Sequence, residues 1–192
     1  MFTDTGCARP GEHSLLTLAL SPVAKEIERI LKAARSQAPS FSPTHCCPPA
    51  AKERKEIEEV PTAAIELQDG TIITSRTSQL MGPSAALILN AAKHLAGIPH
   101  NVKLIPEEMI APIQKTKLEY LHSSNPRLHT DEVLVAISVL SNHDENCRKA
   151  LEQLPKFNGC QVHSTVMVSE VDRKIFKKLG VGLTCDPVKK VK

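Results

Sequence analysis

Polar and apolar positions divide the chain into segments of clear period. Val23, Ile27, Ile30, Leu31 and Ala34 recur at helical spacing behind Ser21-Pro22, which predicts a helix over 23–35. Pro39, Pro43, Pro48 and Pro49 deny residues 37–50 a regular hydrogen-bonded ladder, so that stretch reads as a linker. Lys52 to Glu59 is a short charged run with room for one or two helical turns. From Pro61 the pattern tightens. Ala63-Ala64-Ile65-Glu66-Leu67 and Thr71-Ile72-Ile73-Thr74 flank Gln68-Asp69-Gly70, which predicts a β-hairpin whose Asp-Gly supplies the positive φ angles of a tight primed turn. Gly82-Pro83-Ser84 then opens a helix through about Ala96. It is apolar nearly all round, the signature of a helix buried between layers. Asn90, Lys93 and His94 form its one polar stripe and read as its wet edge, and Gly97 and Pro99 stop it.

Two further helical patterns cover 106–121 and 131–141, separated by Ser123-Ser124-Asn125-Pro126-Arg127. A shorter helix runs from about Glu145 to Leu154 and ends at Pro155. From Cys160 the period changes to two: Cys160, Val162, Ser164, Val166 and Val168 share one face, with Gln161, His163, Thr165 and Met167 on the other. Val171, Ile175 and Leu179 mark an amphipathic helix closed by Gly180, and Val181 to Cys185 is a last strand. This closing β-α-β unit implies a parallel strand pair. The fold class is therefore α/β: a three-layer α-β-α domain with a β-hairpin, a buried helix, a helical insertion and a closing β-α-β unit. Residues 1–60 are expected to be a partly disordered amino-terminal segment, 61–187 the folded domain and 188–192 a basic tail.

Composition narrows the function. Of 192 residues 41% are hydrophobic and 23% charged, within the globular range. The net charge of +3 is too small to imply a polyanion partner, and 3% aromatics leave few rings for stacking bases, so no nucleic-acid partner is expected. The six cysteines form no C-x-x-C pair and read as free thiols in a reducing cytosol. No apolar run reaches the roughly 18 residues of a membrane span. Leu15 to Leu20 is too short an apolar core, and too acidic in its approach, for a signal peptide. A cytoplasmic protein without membrane contact is expected.

AIELQDGTIITSRTS (Ala64–Ser78), MGPSAALILNAAKHLAGIP (Met81–Pro99), NPRLHTDEVLVAIS (Asn125–Ser138), ALEQLPKFNGCQVHSTVMVSEVD (Ala150–Asp172) and FKKLGVGLTCDP (Phe176–Pro187) closely resemble the carboxy-terminal domain of the family catalogued as domain of unknown function 1846. Proteins of that family are much longer, and their amino-terminal part carries a glycine-rich stretch that looks phosphate-binding. No GxxxxGK[ST] occurs here, so the chain resembles a partial member. The resemblance implies a topology similar to the cytidine-deaminase-like fold. True deaminases hold zinc with His or Cys at the starts of two buried helices. Here those starts read Gly82-Pro83-Ser84 and Ser169-Glu170-Val171-Asp172, so no zinc chemistry, and no other cofactor, is expected.

The candidate site residues are Asn125, Arg127, His129, Asp131, Glu132 and His163. His129 and Glu132 lie three apart and can share a helical face, which suits an acid/base pair. The competing reading makes Thr130 a helix N-cap, with Asp131 and Glu132 complementing the dipole in the first turn. Arg127 suits a phosphate or carboxylate, and His129 would be oriented by Asp131 or Glu132. His163 lies in a strand, where a half-buried face with ordinary hydrogen bonds competes with a site. His45-Cys46-Cys47 offers three soft ligands but no fourth. Two functions compete. One is a non-catalytic module for ligand binding or subunit assembly, including homo-oligomers. The other is an enzyme that takes a phosphorylated or nucleotide-like small anionic ligand at 125–132.

Overall fold

The computed structural model describes residues 47–186. The expected helix over 23–35, the first part of the linker and the basic tail lie outside the described residues.

The fold is an α/β domain around a four-stranded mixed sheet. The elements are α1 (Cys47–Glu58), β1 (Thr62–Glu66), β2 (Ile72–Arg76), α2 (Pro83–Leu95), α3 (Glu107–Lys115), a π-helical turn (Thr116–Tyr120), α4 (Thr130–Leu140), α5 (Glu145–Leu151), a 3-10 turn (Leu154–Phe157), β3 (Gln161–Ser164), α6 (Glu170–Leu179) and β4 (Gly182–Cys185). The strand order is β2-β1-β3-β4. β1 is antiparallel to both β2 and β3, and β3 and β4 form the expected parallel pair.

Alternation along β1 sends its residues to two different helical layers. Ala63 and Ile65 join the main core with Leu87, Ile88, Ile137, Phe157 and Phe176, all fully buried. Ala64 faces the other way, against Cys47 and Ala51 of α1. The layer on that side is thus built from the stretch that the sequence reads as the end of a linker and one or two helical turns. The physical reason is the position of the prolines. Pro48 and Pro49 stand in the first turn of α1, where their missing N–H groups have no intrahelical acceptor to lose. Thr62 Oγ1 donates to the Ala51 carbonyl at 2.6 Å, fastening α1 to the first strand.

The hairpin is as expected, but its turn is of another type. Positive φ occurs at Gly70 (+83°) and not at Asp69, and Gly70 N–H donates to the Leu67 carbonyl. This three-residue loop is a type I turn followed by a left-handed glycine, not a primed two-residue turn. Asp69 accepts from Thr71 N–H at 2.9 Å, which explains an aspartate at that place. The strand expected from Cys160 to Val168 ends at Ser164, whose hydroxyl donates to the Val166 carbonyl and turns the chain away. Gly180 closes α6 at φ +74°, with Asn158 packed where a Cβ would stand.

Lys93 corrects the wet-edge reading of α2. It is 8% exposed, and its ammonium donates to the His100 and Val102 carbonyls at 2.6 and 2.7 Å. Asn90 is half-buried and donates to the Thr74 carbonyl, which leaves His94 as the exposed member of that stripe.

Cys147 and Cys160 are buried thiols that donate to the Leu104 and Lys156 carbonyls. Burial pushes both pKa values up, from an ordinary 9.0 to about 11. The folded protein therefore holds these protons in a range where the unfolded chain has released them, so stability falls as pH rises from about 9 to about 11. Urea unfolding across that range should show the fall. In a Cys147→Ala/Cys160→Ala variant the slope should be shallower, because the other titrating groups remain in both proteins.

Candidate functional site

The polar run 125–132 lies between the starts of two helices, and the backbone places it there. Leu128 is fully buried, its N–H donates to the Leu80 carbonyl, and its own carbonyl accepts from Gly82 N–H. These bonds hold the run against the chain entering α2. On its other side, His129 and Thr130 meet the start of α6 at Ser169 and Asp172.

Asp172 is the hub. It is 7% exposed, and its Oδ1 accepts from the Thr130 N–H at 2.8 Å and the Thr130 hydroxyl at 2.5 Å. Its Oδ2 accepts from the Ser169 hydroxyl at 2.9 Å and lies 3.4 Å from His129 Nδ1. Ser169 caps α6 in turn, since its hydroxyl accepts from Asp172 N–H. His129, not Thr130, is the N-cap of α4; Thr130 is the first helical residue and is fully buried. The orienting carboxylate of the imidazole is therefore Asp172, and neither Asp131 nor Glu132. Proximity in sequence favoured the latter two, but both are committed elsewhere.

Glu132 Oε2 accepts the His129 backbone N–H at 2.7 Å and also pairs with Lys117 at 2.7 Å. Lys117, in the π-helical turn, is 4% exposed and donates a further bond of 2.6 Å to the Arg127 carbonyl. Asp131 accepts from Glu132 N–H at 2.9 Å. Arg127 is exposed, and its Nε donates to the Ser78 carbonyl at 2.8 Å. Asn125 Oδ1 accepts from Arg127 N–H at 3.1 Å and shapes the loop. His129 keeps one ring nitrogen, Nε2, without a hydrogen-bond partner among the described residues.

His163 stands apart. It pairs across the strands with Ala64, so it faces the α1 side of the sheet. It is 5% exposed, with Nδ1 2.8 Å from the Thr184 hydroxyl and Nε2 3.2 Å from Asp186. Five of the six sequence-predicted residues thus share one loop and helix start, and the sixth lies across the sheet.

The sequence reading did not include Lys117, Ser169 or Asp172 among site residues. Ser169-x-x-Asp172 ahead of an apolar period is a helix-start signature and could have flagged two of them. Lys117 has no such signal, since it stands inside an amphipathic pattern. Among the described residues no three His, Cys, Asp or Glu side chains are placed to hold a metal ion, and no helix is long and apolar enough to cross a membrane.

Beside the polar run lies an apolar groove of about 470 Å³, between α3 (Met109, Pro112, Ile113) and α4 (Val135, Val139, Leu140), with Asp131 and Glu132 among its lining residues.

The family comparison bears on the whole of this region. A model described as "Domain of unknown function DUF1846, C-terminal" matches residues 44–192. The chain belongs to the DUF1846 family. Its relatives include a UPF0371 protein of Corynebacterium aurimucosum, 54% identical over 138 residues, and UPF0371 protein DIP2346 of Corynebacterium diphtheriae, 52% identical over 137 residues. A UPF0371 protein of Streptococcus sanguinis is 41% identical over 138 residues. The alignments cover 71–72% of this chain and 28% of each relative. The chain thus spans little more than a quarter of the length of these DUF1846 proteins. The matched residues begin at 44, so the family's C-terminal unit includes α1, the layer that the sequence reading assigned to the amino-terminal segment.

Asp172 joins two helix starts, and its removal would strand the buried Thr130 N–H and hydroxyl. Asp172→Ala should lower unfolding free energy by about 2–3 kcal/mol, the cost of losing charge-assisted bonds and leaving buried donors unpaired. Urea denaturation with an unchanged m-value would check this, and Glu170→Ala, on the exposed side of α6, should stay within about 0.5 kcal/mol of the parent protein.

Proposed function

We propose that this DUF1846 domain is a non-catalytic assembly module whose α3–α4 groove seats an apolar helical surface of a polypeptide partner. In the longer relatives that partner is the remainder of the same protein. The observation that carries this reading is the outer face of α4. Thr130–Leu140 is apolar on both sides: Val133, Leu134 and Ile137 enter the core, while Val135 and Val139 are 59% and 54% exposed along the groove. A helix apolar all round is normally covered on all sides. Met109 on the groove wall is exposed as well, and so are Leu118 and Tyr120 of the π-helical turn and Leu121 just after it. The polar run, by contrast, spends most of its hydrogen-bonding capacity on its own scaffold, as a structural device would.

Mixing the chain with the separately produced amino-terminal part of the C. diphtheriae relative should give a complex by light scattering. Val135→Glu/Val139→Glu should weaken it more than tenfold, since burying each valine contributes roughly 1.5–3 kcal/mol and 1.4 kcal/mol is tenfold. Circular dichroism should be unchanged. Self-association of the chain, lost in the same variant, would name a second copy as the partner. Absence of both would defeat the reading.

One observation favours a second reading, an enzyme or receptor for a phosphorylated or nucleotide-like small molecule. His129 is held at Nδ1 by Asp172, an arrangement that leaves Nε2 available to a ligand, with Arg127 two residues away. If an anion binds there, Arg127→Ala should weaken it by about 1.5–3 kcal/mol with little change in fold stability. Titration with inorganic phosphate and AMP, followed by the His129 ring resonances, would measure it.

A further inference from the structure

Two lysines among the described residues are withdrawn from water, and they differ in one respect. Lys117 has a carboxylate, Glu132, at 2.7 Å. Lys93, 8% exposed, has two carbonyls and no carboxylate partner among the described residues. A buried ammonium without an opposite charge is costly, and neutral carbonyls cancel only part of that cost. Burial accordingly pulls the Lys93 pKa below the ordinary lysine value.

Lys93 also borders a pocket of about 230 Å³ that opens to solvent and is lined mainly by apolar side chains, among them Met81, Leu89, Ile105 and Ile110, with His100, Lys103 and Glu107 on its polar wall. The other cation on its wall, Lys103, is already matched by Glu107 at 2.7 Å. The pocket therefore sets a lysine without a carboxylate partner among the described residues beside a mainly apolar wall.

We propose that this pocket binds a small aliphatic monocarboxylate, whose carboxylate meets the Lys93 ammonium and whose hydrocarbon lies along the apolar wall. A monoanion fits better than a phosphate dianion, because the Glu107 carboxylate on the same wall already takes Lys103 and repels a second negative charge. The volume lies below the roughly 300–1,000 Å³ of sites for drug-sized molecules, so the ligand is short. The pocket is distinct from the α3–α4 groove, and its occupancy does not depend on the assembly reading.

Calorimetric titration of the full chain with hexanoate, and in parallel with 1-hexanol, tests the proposal. Hexanoate should bind once per chain and at least tenfold tighter than 1-hexanol. Lys93→Met keeps the apolar stem, and it should weaken hexanoate at least tenfold while 1-hexanol changes less than twofold. Ala86→Phe, which fills the pocket from α2 seven residues before Lys93, should abolish binding of both. No hexanoate binding by the parent chain would overturn the proposal, as would equal affinity for the two probes. Unweakened hexanoate binding by a folded Lys93→Met would overturn it too, and would leave Lys93 as a tie between α2 and residues 100–102. If Lys93→Met does not fold, the two-probe comparison in the parent chain and the Ala86→Phe result decide the matter.

Discussion

The Asp172 carboxylate is nearly withdrawn from water, and a charge in that position persists only when its lone pairs are met by donors. Here the donors come from two helix starts at once: Thr130 from α4, and Ser169 from the turn before α6. Much of the domain's geometry depends on that bond set. It fixes where α4 begins, and so which side of α4 enters the core and which lines the groove. It also fixes His129 as the residue that turns the chain into α4, with its imidazole against α6.

A second tie works from the opposite side of the same segment. Lys117 reaches from the π-helical turn to the Arg127 carbonyl and to Glu132, whose carboxylate also takes the His129 N–H. Helices with a π turn carry one residue more than the regular spacing allows, and such turns recur at functional sites. In this domain the extra residue is used to bring an ammonium under a loop. The run 125–132, which looks in sequence like exposed chemistry, is thereby clamped between Lys117 and Asp172. Within it Arg127 is exposed, and the His129 ring keeps Nε2 without a hydrogen-bond partner among the described residues.

Apolar excess and polar satisfaction therefore point to different surfaces. The polar residues are largely spoken for, while α4 presents valines to solvent where a covered helix would present them to a neighbour. That imbalance is what the assembly proposal rests on. Of the two buried lysines, Lys93 is the one whose charge lacks a partner of opposite sign among the described residues.

The sequence by itself determined what depends on period and local sterics. Alternation around Ile65 and Ile73, the all-round apolar character of Leu87 to Ala92, and Gly180 after Leu179 were enough for the hairpin, the buried helix and the closing β-α-β. The family was legible as well, because it rests on residues in register. Tertiary structure decided what depends on partners distant in the chain. Asp172 lies 43 residues from His129, and Lys117 lies 15 from Glu132, so no local pattern pairs them. The prolines of α1 read as linker because a breaker and a first-turn residue are the same letter; only packing of Cys47 and Ala51 on Ala64 tells them apart. Lys93 reads as solvent-facing for the same reason: helical spacing assigns a side to each residue, but what lies on that side is set by the rest of the fold.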